Sequence, residues 1–542
     1  MAFIFAPGMG ALLIYQTTGT ATHNRLDCKS LARHIIIFCK KRVNFHLYLI
    51  HENAYHSFLY LMITGVMMKE LFSRQTVLPG LSALTLALIA SQAYASMSIQ
   101  PVLTDMPPSE KPYQMTWVGA DENVRPELRN SVYVASFGSS SGTEGENRLN
   151  SDNPDLPLSQ RFAVEGYPRF IQIKDNGEVI RWDVKDYPAY KDSGENKRAT
   201  QIAFAKFLKN YNTPEAKPLS VLNYLQPLHS IDYRDGKLLG QQTFIGKYVL
   251  WDMSKPVTAK DGKGLLGTDS VQINKGTAFD NWKEVRVRLS RFSVDGKTVY
   301  GVIRSEAEDP DDKEFSVDLT WFGTGGLRNG NTLKRQSIKN ASSGHALFLT
   351  EDNIYTGGKD IRKTDIKSGK VTTYKINGDI NYGEASPSFI NMVVDEKNNR
   401  IYTLNSRDID PDETDAKTYG EYLDKFKEFA EAHKHGLYVF DINKDDTLTL
   451  KNHVPMVQPV ELVLSGDGKT LFANDRMERT VSAYDIAGDM KVKDSVMTTC
   501  HNSNLVRDGN DNVWVTSVYT YQLRLAGAGD KNCNSISKIS FE

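Results

Sequence analysis

Short apolar strands separated by tight turns are the dominant pattern of this chain. The clearest instance, DGKTLFANDRMERTVSAYDI at 467–486, contains the turn dipeptide Asp467-Gly468, a short apolar strand and a strand that alternates polar and apolar residues. A further apolar run at 460–464 precedes it. Such close spacing leaves no room for crossover helices, so the pattern predicts an antiparallel meander.

The same turn-and-strand unit recurs along the chain. Copies lie at 232–242, 292–302, 349–358, 394–405 and 506–517, with a poorer copy at 174–183. A repeat of about 40 residues with four short strands predicts a β-propeller, because each blade buries its faces only against its neighbours. With 467–486 the copies predict an all-β, seven-bladed β-propeller with short helical insertions; the alternative is a β-sandwich with coincidental turns. The last blade ends at 536–541 as a third strand, and we expect 113–136 to supply its outer strand and close the ring.

Three of these segments resemble a known repeat. They are YTLN at 402–405, TLFAN at 470–474 and TVSAYD at 480–485, and they are similar to the YVTN repeat of bacterial exported seven-bladed β-propellers. The resemblance is clear over 390–490, partial over 229–390 and weak before that. It implies the fold and carries over no catalytic residue, because the repeat is a packing motif and members of that family differ in function.

The amino end has the order of a secretory signal peptide. Residues 68–95 contain a net-positive start, a mostly apolar run and small residues before a cleavage point after Ala95. We therefore expect 1–67 to be an upstream extension, with translation starting at Met67 or Met68, and 96–542 to be a single propeller domain. The alternatives are an uncleaved anchor and an extra membrane segment near 58–67. Cleavage predicts a periplasmic or secreted bacterial protein with no stable membrane anchor.

Cysteine usage agrees with export, and the charge balance is near zero. The chain has 65 basic and 66 acidic residues, so its charge gives no nucleic-acid signature. Two of the four cysteines, Cys28 and Cys39, precede the predicted signal peptide. The remaining pair, Cys500 and Cys533, is predicted to form a disulfide in an oxidising compartment; the alternative is two free buried thiols.

Two stretches have helical rather than strand periodicity. Apolar residues recur at helical spacing over 201–211 and over 414–433, and the acidic pair Asp412 and Glu413 suits the start of the second helix. These helices are interpreted as covers on the propeller rim, with ligand-gating lids as the alternative.

Register places candidate binding residues at one end of the channel. The long insertions at 304–314 and 406–436 follow second strands, and loops of this kind share a face with the starts of the inner strands. Counting eleven residues back from Phe472, Tyr402 and Trp514 selects Glu461, Asn391 and Ser503. Counting back from the turn residues of other copies adds further positions, and histidines close to the counted positions are included. The predicted channel-mouth residues are Arg169, His229, His345, Asn391, Glu461 and His501.

These residues support more than one functional hypothesis. Converging polar groups predict a non-catalytic site for a small molecule or protein partner, although channel-lining residues need no ligand. The alternative is a metal-dependent hydrolase of the lactonase kind, in which Glu461, Asn391 and a nearby histidine hold a metal that activates water. A weaker possibility is a quinone-cofactor oxidoreductase, but its tryptophan docking repeat is not visible. No cofactor and no catalytic residue is assigned, and a bound divalent metal stays open because no pair has diagnostic metal spacing.

Overall fold

A computed structural model gives the fold. It describes residues 2–5, 11–15, 34–41, 44–51, 96–104, 106, 111–136, 169–183, 228, 230–242, 247–256, 268–272, 285–305, 316–323, 334–338, 346–378, 380–383, 386–409, 414–520, 523 and 533–541. The chain divides into two compact units, Met1–Ala93 and Tyr94–Glu542. The predicted signal peptide, the membrane segment near 58–67 and the helix at 201–211 lie outside the described residues.

The described residues of the first unit form one antiparallel sheet. Its strands pair in sequence order. They are β1 (Ala2–Phe5), β2 (Ala11–Tyr15), β3 (His34–Lys41) and β4 (Asn44–His51). The sequence did not predict this sheet, because its apolar runs are not bounded by clear turn chemistry.

The second unit begins with a single strand, β5 (Met97–Leu103), followed by three four-stranded meanders. Sheet 1 contains β6 (Pro112–Val118), β7 (Ser131–Ser136), β8 (Arg169–Lys174) and β9 (Val179–Asp183). Sheet 2 contains β10 (Ser230–Arg234), β11 (Lys237–Gln242), β12 (Lys247–Asp252) and β13 (Thr268–Gln272). Sheet 3 contains β14 (Val285–Phe292), β15 (Thr298–Ser305), β16 (Ser316–Gly323) and β17 (Lys334–Ile338).

Three further meanders follow, and the second of them has an additional parallel strand, β22. Sheet 4 contains β18 (Leu347–Leu349), β19 (Asn353–Thr356), β20 (Arg362–Asp365) and β21 (Val371–Thr373). Sheet 5 contains β22 (Lys375–Asn377), β23 (Phe389–Asp395), β24 (Arg400–Asn405), β25 (Gly436–Ile442) and β26 (Thr447–Pro455). Sheet 6 contains β27 (Pro459–Leu464), β28 (Thr470–Asp475), β29 (Thr480–Asp485) and β30 (Lys491–Met497).

The last sheet is composite. It contains β31 (His501–Arg507), β32 (Val513–Val518) and β33 (Ser535–Phe541), with β5 from the start of the unit as its outer strand. The repeats predict seven blades of the same kind. Among the described residues, six sheets of the second unit are instead continuous in sequence, and one further sheet combines strands from the two ends of the unit.

The first strands of these sheets form a closed ring. Each lies against the first strand of the next sheet, from β6 through β10, β14, β18, β23 and β27 to β31, and β31 lies against β6. The buried side chains sit between neighbouring sheets: one cluster joins Phe472 and Val481 of sheet 6 to Val515 and Ile539 of the composite sheet. Ring order and face-to-face burial together define a β-propeller.

Turn chemistry explains why the repeats were visible in the sequence. In sheet 6, Ser465 Oγ donates to Asp467 and accepts the N–H of Thr470, and Gly468 has φ +70°. That backbone conformation favours glycine because no Cβ is present to clash. The Ser293–Thr298 turn of sheet 3 has the same hydroxyl and carboxylate bonds.

Two sequence-based assignments at the amino end were wrong. The segment 113–136 forms the first two strands of sheet 1, and Met97–Leu103 is the outer strand of the composite sheet. The burial of the two segments explains the exchange: four of the seven residues of β6 are buried, whereas β5 has one buried residue and contains Pro101, which suits an edge strand. The copy at 174–183 lies on the third and fourth strands of sheet 1, because the first two strands of that sheet lack the repeat turn.

The described residues contain one α-helix, α1 (Tyr419–Ala432), and two 3-10 turns, Pro126–Leu128 and Glu396–Asn398. The sequence predicted a helix over 414–433, and the helix begins later because Thr418 caps it. Among the described residues, no helix has the length and apolar character needed to cross a membrane.

Candidate functional site

Contacts at sheets 5 and 6 define the rim of the ring where first strands begin. Ser388, just before β23, donates its N–H to Oδ1 of Asn405 at the end of β24, at 2.7 Å. In sheet 6, Asp475 at the end of β28 accepts the N–H of Gln458, just before β27, at 3.2 Å. Starts of first strands and ends of second strands therefore share one rim. We call it the insertion rim because it carries the connection 406–435.

Helix α1 is packed onto the insertion rim. The Thr418 hydroxyl accepts the N–H of Glu421 at 3.2 Å, and the Glu421 carboxylate accepts the N–H of Lys417 at 2.7 Å. This reciprocal arrangement resembles a capping box, which fixes where a helix begins. One face of α1 is buried against sheet 6. The buried cluster contains Tyr422, Phe426, Ala430 and Met477.

A hydrogen-bonded histidine fixes the start of α1 to the composite sheet. The Tyr419 hydroxyl lies 2.8 Å from Nε2 of His501 and 2.9 Å from the Met477 carbonyl oxygen. The Thr520 hydroxyl lies 2.7 Å from Nδ1 of the same imidazole. His501 is fully buried, and this burial holds its pKa well below the usual range. The imidazole is therefore neutral at physiological pH, with both nitrogens already engaged by the protein.

A second buried histidine holds the end of the helix. His435 Nδ1 lies 2.9 Å from the Val457 carbonyl oxygen, and its Nε2 accepts the N–H of Arg407 at 3.1 Å. The backbone N–H can only donate, so Nε2 carries the lone pair and Nδ1 the proton. Burial lowers the pKa of His435 from 6.5 to about 4. This imidazole, too, is a neutral structural group.

A cleft of about 560 Å³ opens between α1, the end of β26 and the face of β29. Its walls combine apolar, hydroxyl, imidazole and charged groups, and the Lys427–Glu478 ion pair of 3.0 Å joins the helix to sheet 6. A cavity of this size and mixed lining matches sites that take small organic ligands. The lining residues are Lys427, Ala430, Glu431, Lys434, His435, His453, Pro455, Met456, Val457, Asp475, Glu478, Thr480, Ser482 and Tyr484.

Inside the ring, Glu461 joins three neighbouring first strands. Its carboxylate accepts the amide N–H of Asn391 from β23 and, at 2.7 Å, that of Asn504 from β31. Oδ1 of Asn391 accepts the N–H of Met392, and Oδ1 of Asn504 accepts the N–H of Met115. These backbone donors fix both amides with their N–H groups towards Glu461. The carboxylate is therefore held between two amides rather than left open.

The charge of Arg291 acts on two buried carboxylates, those of Glu461 and Asp232. Burial raises the pKa of Glu461 and of Asp232, and the Arg291 guanidinium opposes the rise in both. Arg291 itself donates to the carbonyl oxygens of Ser290 at 3.1 Å and Ile231 at 3.4 Å. Polar groups of the first strands thus bond and compensate one another, which favours the interpretation that channel-lining residues need no ligand.

The structure places the six predicted channel-mouth residues in different environments, and two of them lie outside the described residues. Asn391 and Glu461 are bonded to each other, and His501 is buried under α1. Arg169 starts β8, a third strand, so the register that placed it on an inner strand was wrong. His229 and His345 lie outside the described residues, and whether any of the six binds a ligand stays a prediction.

Sequence reasoning missed Asn504. It is equivalent to Glu461 because Val506 pairs with Trp514 as Val463 pairs with Phe472. The β31–β32 hairpin is shorter, so counting a fixed eleven residues selects Ser503 instead. An alignment of the turn sequences of the two copies would have shown the shorter hairpin and corrected the count.

The residues proposed to hold a metal already form hydrogen bonds with other protein groups. Glu461 has a bond to each carboxylate oxygen, and the imidazole of His501 faces α1. In the part of the chain that the structure describes, no three His, Cys, Asp or Glu residues gather into a metal-sized group. The donor set of the lactonase-like hypothesis is therefore not assembled among these residues.

Comparison with known proteins finds solved structures that resemble this chain at low sequence identity. No family profile and no curated protein matches the chain. A streptogramin B lyase structure is 8% identical, covers 83% of this chain and 100% of its own, and has a TM-score of 0.42. Virginiamycin B lyase from Staphylococcus aureus is 8% identical, with 82% and 99% covered and a TM-score of 0.41. A Bacteroides uniformis protein provisionally assigned as a 6-phosphogluconolactonase is 11% identical, with 71% and 84% covered and a TM-score of 0.37. Such values carry no argument about the fold or the function of this chain.

Proposed function

We propose that this chain is an exported β-propeller that binds a small molecule or a protein partner on its insertion rim. The observation that supports the proposal is the cleft beneath α1. Without the inserted helix, the gap between sheets 5 and 6 would be an open groove; the helix supplies its third wall. Binding sites commonly reside on such insertions, carried by a rigid scaffold.

The finer features of this proposal come from the sequence and the composite sheet. The YVTN-like segments imply seven blades, and the proposal counts the composite sheet as the seventh. Export is supported by the signal-peptide pattern at 68–95 and by Cys500 and Cys533, whose Cα atoms are 5.7 Å apart at disulfide distance.

The lining of the cleft indicates the kind of ligand. Ala430, Met456 and Val457 offer apolar contact, while Thr480 and Ser482 present hydroxyl groups along one face of β29. A ligand with an apolar body and a few polar substituents fits this surface. No catalytic step is part of the proposal.

Filling the cleft tests the proposal. Residues 96–542 are screened with a fragment library by ligand-observed NMR, alongside Ser482→Trp and the control Val371→Trp at an exposed position of β21 in sheet 4. We expect a group of fragments that loses binding with Ser482→Trp and keeps it with Val371→Trp. Fragments that bind both variants and the parent equally would refute a cleft site. A stoichiometric metal retained through dialysis would instead favour the lactonase-like hydrolase.

A further inference from the structure

The outer strand of sheet 6 exposes apolar side chains next to the cleft. Met497 and Val492 of β30 are 63% and 56% exposed, the highest values among the large hydrophobic side chains of the described residues. We propose that the free edge of β30 binds an extended peptide segment of a partner protein, in which apolar and acidic residues alternate. This inference goes beyond the proposed function, because a strand on β30 needs no ligand in the cleft.

Three residues of β30 lie opposite three residues of β29 that line the cleft. The pairs are Met497–Thr480, Ser495–Ser482 and Val492–Tyr484. Directly opposed side chains project on the same face of a sheet, and the Ser482 and Ser495 hydroxyl oxygens are 3.0 Å apart. The cleft wall therefore continues across β30 as an exposed row of side chains, apolar at both ends with a hydroxyl group between them.

The other face of β30 is basic. Lys491 lies opposite Asp485, and Asp485 lies opposite Thr470, whose hydroxyl accepts a hydrogen bond from Nζ of Lys493 at 3.1 Å. Both lysines therefore project on the face away from the cleft. Both are exposed, and within the described residues neither ammonium group forms an ion pair.

Two carboxylates of the same part of sheet 6 are engaged by backbone donors. Oδ2 of Asp494 accepts the N–H of Met97 at 2.6 Å, and Oδ1 of Asp485 accepts the N–H of Ala487 at 3.1 Å. The two ammonium groups of β30 therefore stay available to acidic side chains of a partner.

The edge of β30 also offers main-chain hydrogen-bonding groups. β30 is the outermost strand of sheet 6, with no strand on its outer side among the described residues. Sheet 5 shows what such an edge accepts: β22 lies parallel along β26, and Nδ2 of Asn377 donates to the Thr447 hydroxyl at 2.8 Å. A peptide that adds a strand gains affinity from main-chain hydrogen bonds and specificity from its alternate side chains.

The two faces of β30 define the sequence pattern of the added strand. Successive side chains of a strand point to opposite faces, so every second residue meets the row from Met497 to Val492 and the residues between them meet the lysines. The matching pattern is apolar, acidic, hydroxyl, acidic, apolar. Lysines on an edge strand discourage pairing with strands that lack negative charge. This argues against a second copy of β30, which would bring its own lysines to the same edge.

A labelled peptide of this pattern tests the surface by fluorescence anisotropy. The probe is fluorescein-labelled GSVESEVSG, titrated with residues 96–542, the predicted mature chain. The control peptide, GEEVVSSSG, has the same composition without the alternation. A third peptide, GSVKSKVSG, replaces both acidic residues by lysine.

The variants change each face of β30 separately. Met497→Glu changes the apolar row, and its control is Val371→Glu at an exposed position of β21 in sheet 4. The double change of Lys491 and Lys493 to Glu reverses the basic face. Its control is the same double change at positions 367 and 370, two exposed lysines of the β20–β21 turn.

We expect the parent to bind GSVESEVSG at least about tenfold more tightly than GEEVVSSSG. Met497→Glu should weaken binding of GSVESEVSG at least about tenfold, and both sheet 4 variants should stay within about twofold, since a tenfold change matches the loss of one good contact. The double lysine variant of β30 should prefer GSVKSKVSG, a reversal that a merely structural role would not produce. The melting temperatures should change little, because every substituted side chain is exposed.

Three results would overturn the inference: GSVESEVSG does not bind the parent, it binds no more tightly than GEEVVSSSG, or Met497→Glu binds it as tightly as the parent. Dimerisation of the parent that Met497→Glu abolishes would assign the edge to a second copy instead. The fragment screen stays a separate test. Peptide binding without fragment binding would remove the cleft alone, and fragment binding without peptide binding would remove this surface alone.

Discussion

Nδ2 of Asn504 lies 2.7 Å from Oε2 of Glu461 and thereby joins the first strands of sheet 6 and the composite sheet. We predict that Asn504→Ala lowers the free energy of unfolding by about 1.5–3 kcal/mol, because a buried carboxylate loses a donor and the N–H of Met115 loses its acceptor. Urea denaturation measures the change. Asn510→Ala, at an exposed turn position, should shift it by less than about 0.5 kcal/mol. Equal effects of the two substitutions would contradict a structural role for the Glu461 contact.

The buried His435 makes stability depend on pH. Its pKa falls from 6.5 to about 4 on folding, with burial as the main cause and repulsion from His433 and Arg407 as further causes. A lowered histidine pKa stabilises the fold above pH 6.5, and this contribution is lost as the pH falls towards 4. We expect a loss of up to about 3 kcal/mol across that window.

Urea denaturation at pH 7 and pH 4.5 checks this prediction. His435→Gln should reduce the difference between the two pH values, whereas His433→Gln, two residues away, should retain it. A pH dependence that is the same in the His435 variant would show that other groups cause it.

Cys500 and Cys533 are predicted to be disulfide-bonded in the exported protein. They are separated by 33 residues, and they join the start of the composite sheet to the residues before β33. Closing a loop of this length stabilises the fold by roughly 3–4 kcal/mol in the chain-entropy estimate. Thiol titration of unfolded, unreduced protein should find no reactive thiol in residues 96–542, and two reactive thiols would contradict the pairing. The double Cys→Ser variant should melt at a lower temperature.

The mature chain is predicted to start at Ser96. Strand β5 begins at the next residue, Met97, and the N–H of Met97 donates to Asp494 at 2.6 Å. Cleavage after Ala95 would therefore leave the outer strand of the composite sheet intact. Amino-terminal sequencing of the exported protein decides the matter; a product that retains residues before Met67 would refute the predicted processing.

The propeller arrangement could be predicted from the sequence because its turns are local. Turns such as Asp467-Gly468 and Asp295-Gly296 fix the hairpins, and alternation within β29 fixes which side is buried. Six of the seven sequence copies fall on the first hairpin of a sheet or include its turn. Which strand closes the ring could not be predicted, because β5 contacts β33 across nearly the whole unit and carries no repeat turn.

The site was less predictable, for a different physical reason. The position of Glu461 follows from register along one strand, but its partners come from neighbouring sheets.

The pairing of β5 with β33 has a consequence for biosynthesis. The ribosome makes Leu103 long before Ser535, at a rate of roughly 5–20 residues per second, so β5 waits on the order of 20–90 s for its partner. During that interval the nascent chain holds a strand with nothing to pair with, and the propeller stays open whatever the earlier sheets have done. Premature termination anywhere before residue 535 would yield an unclosed ring with exposed strand edges, a substrate for chaperones and proteases rather than a shortened but working protein.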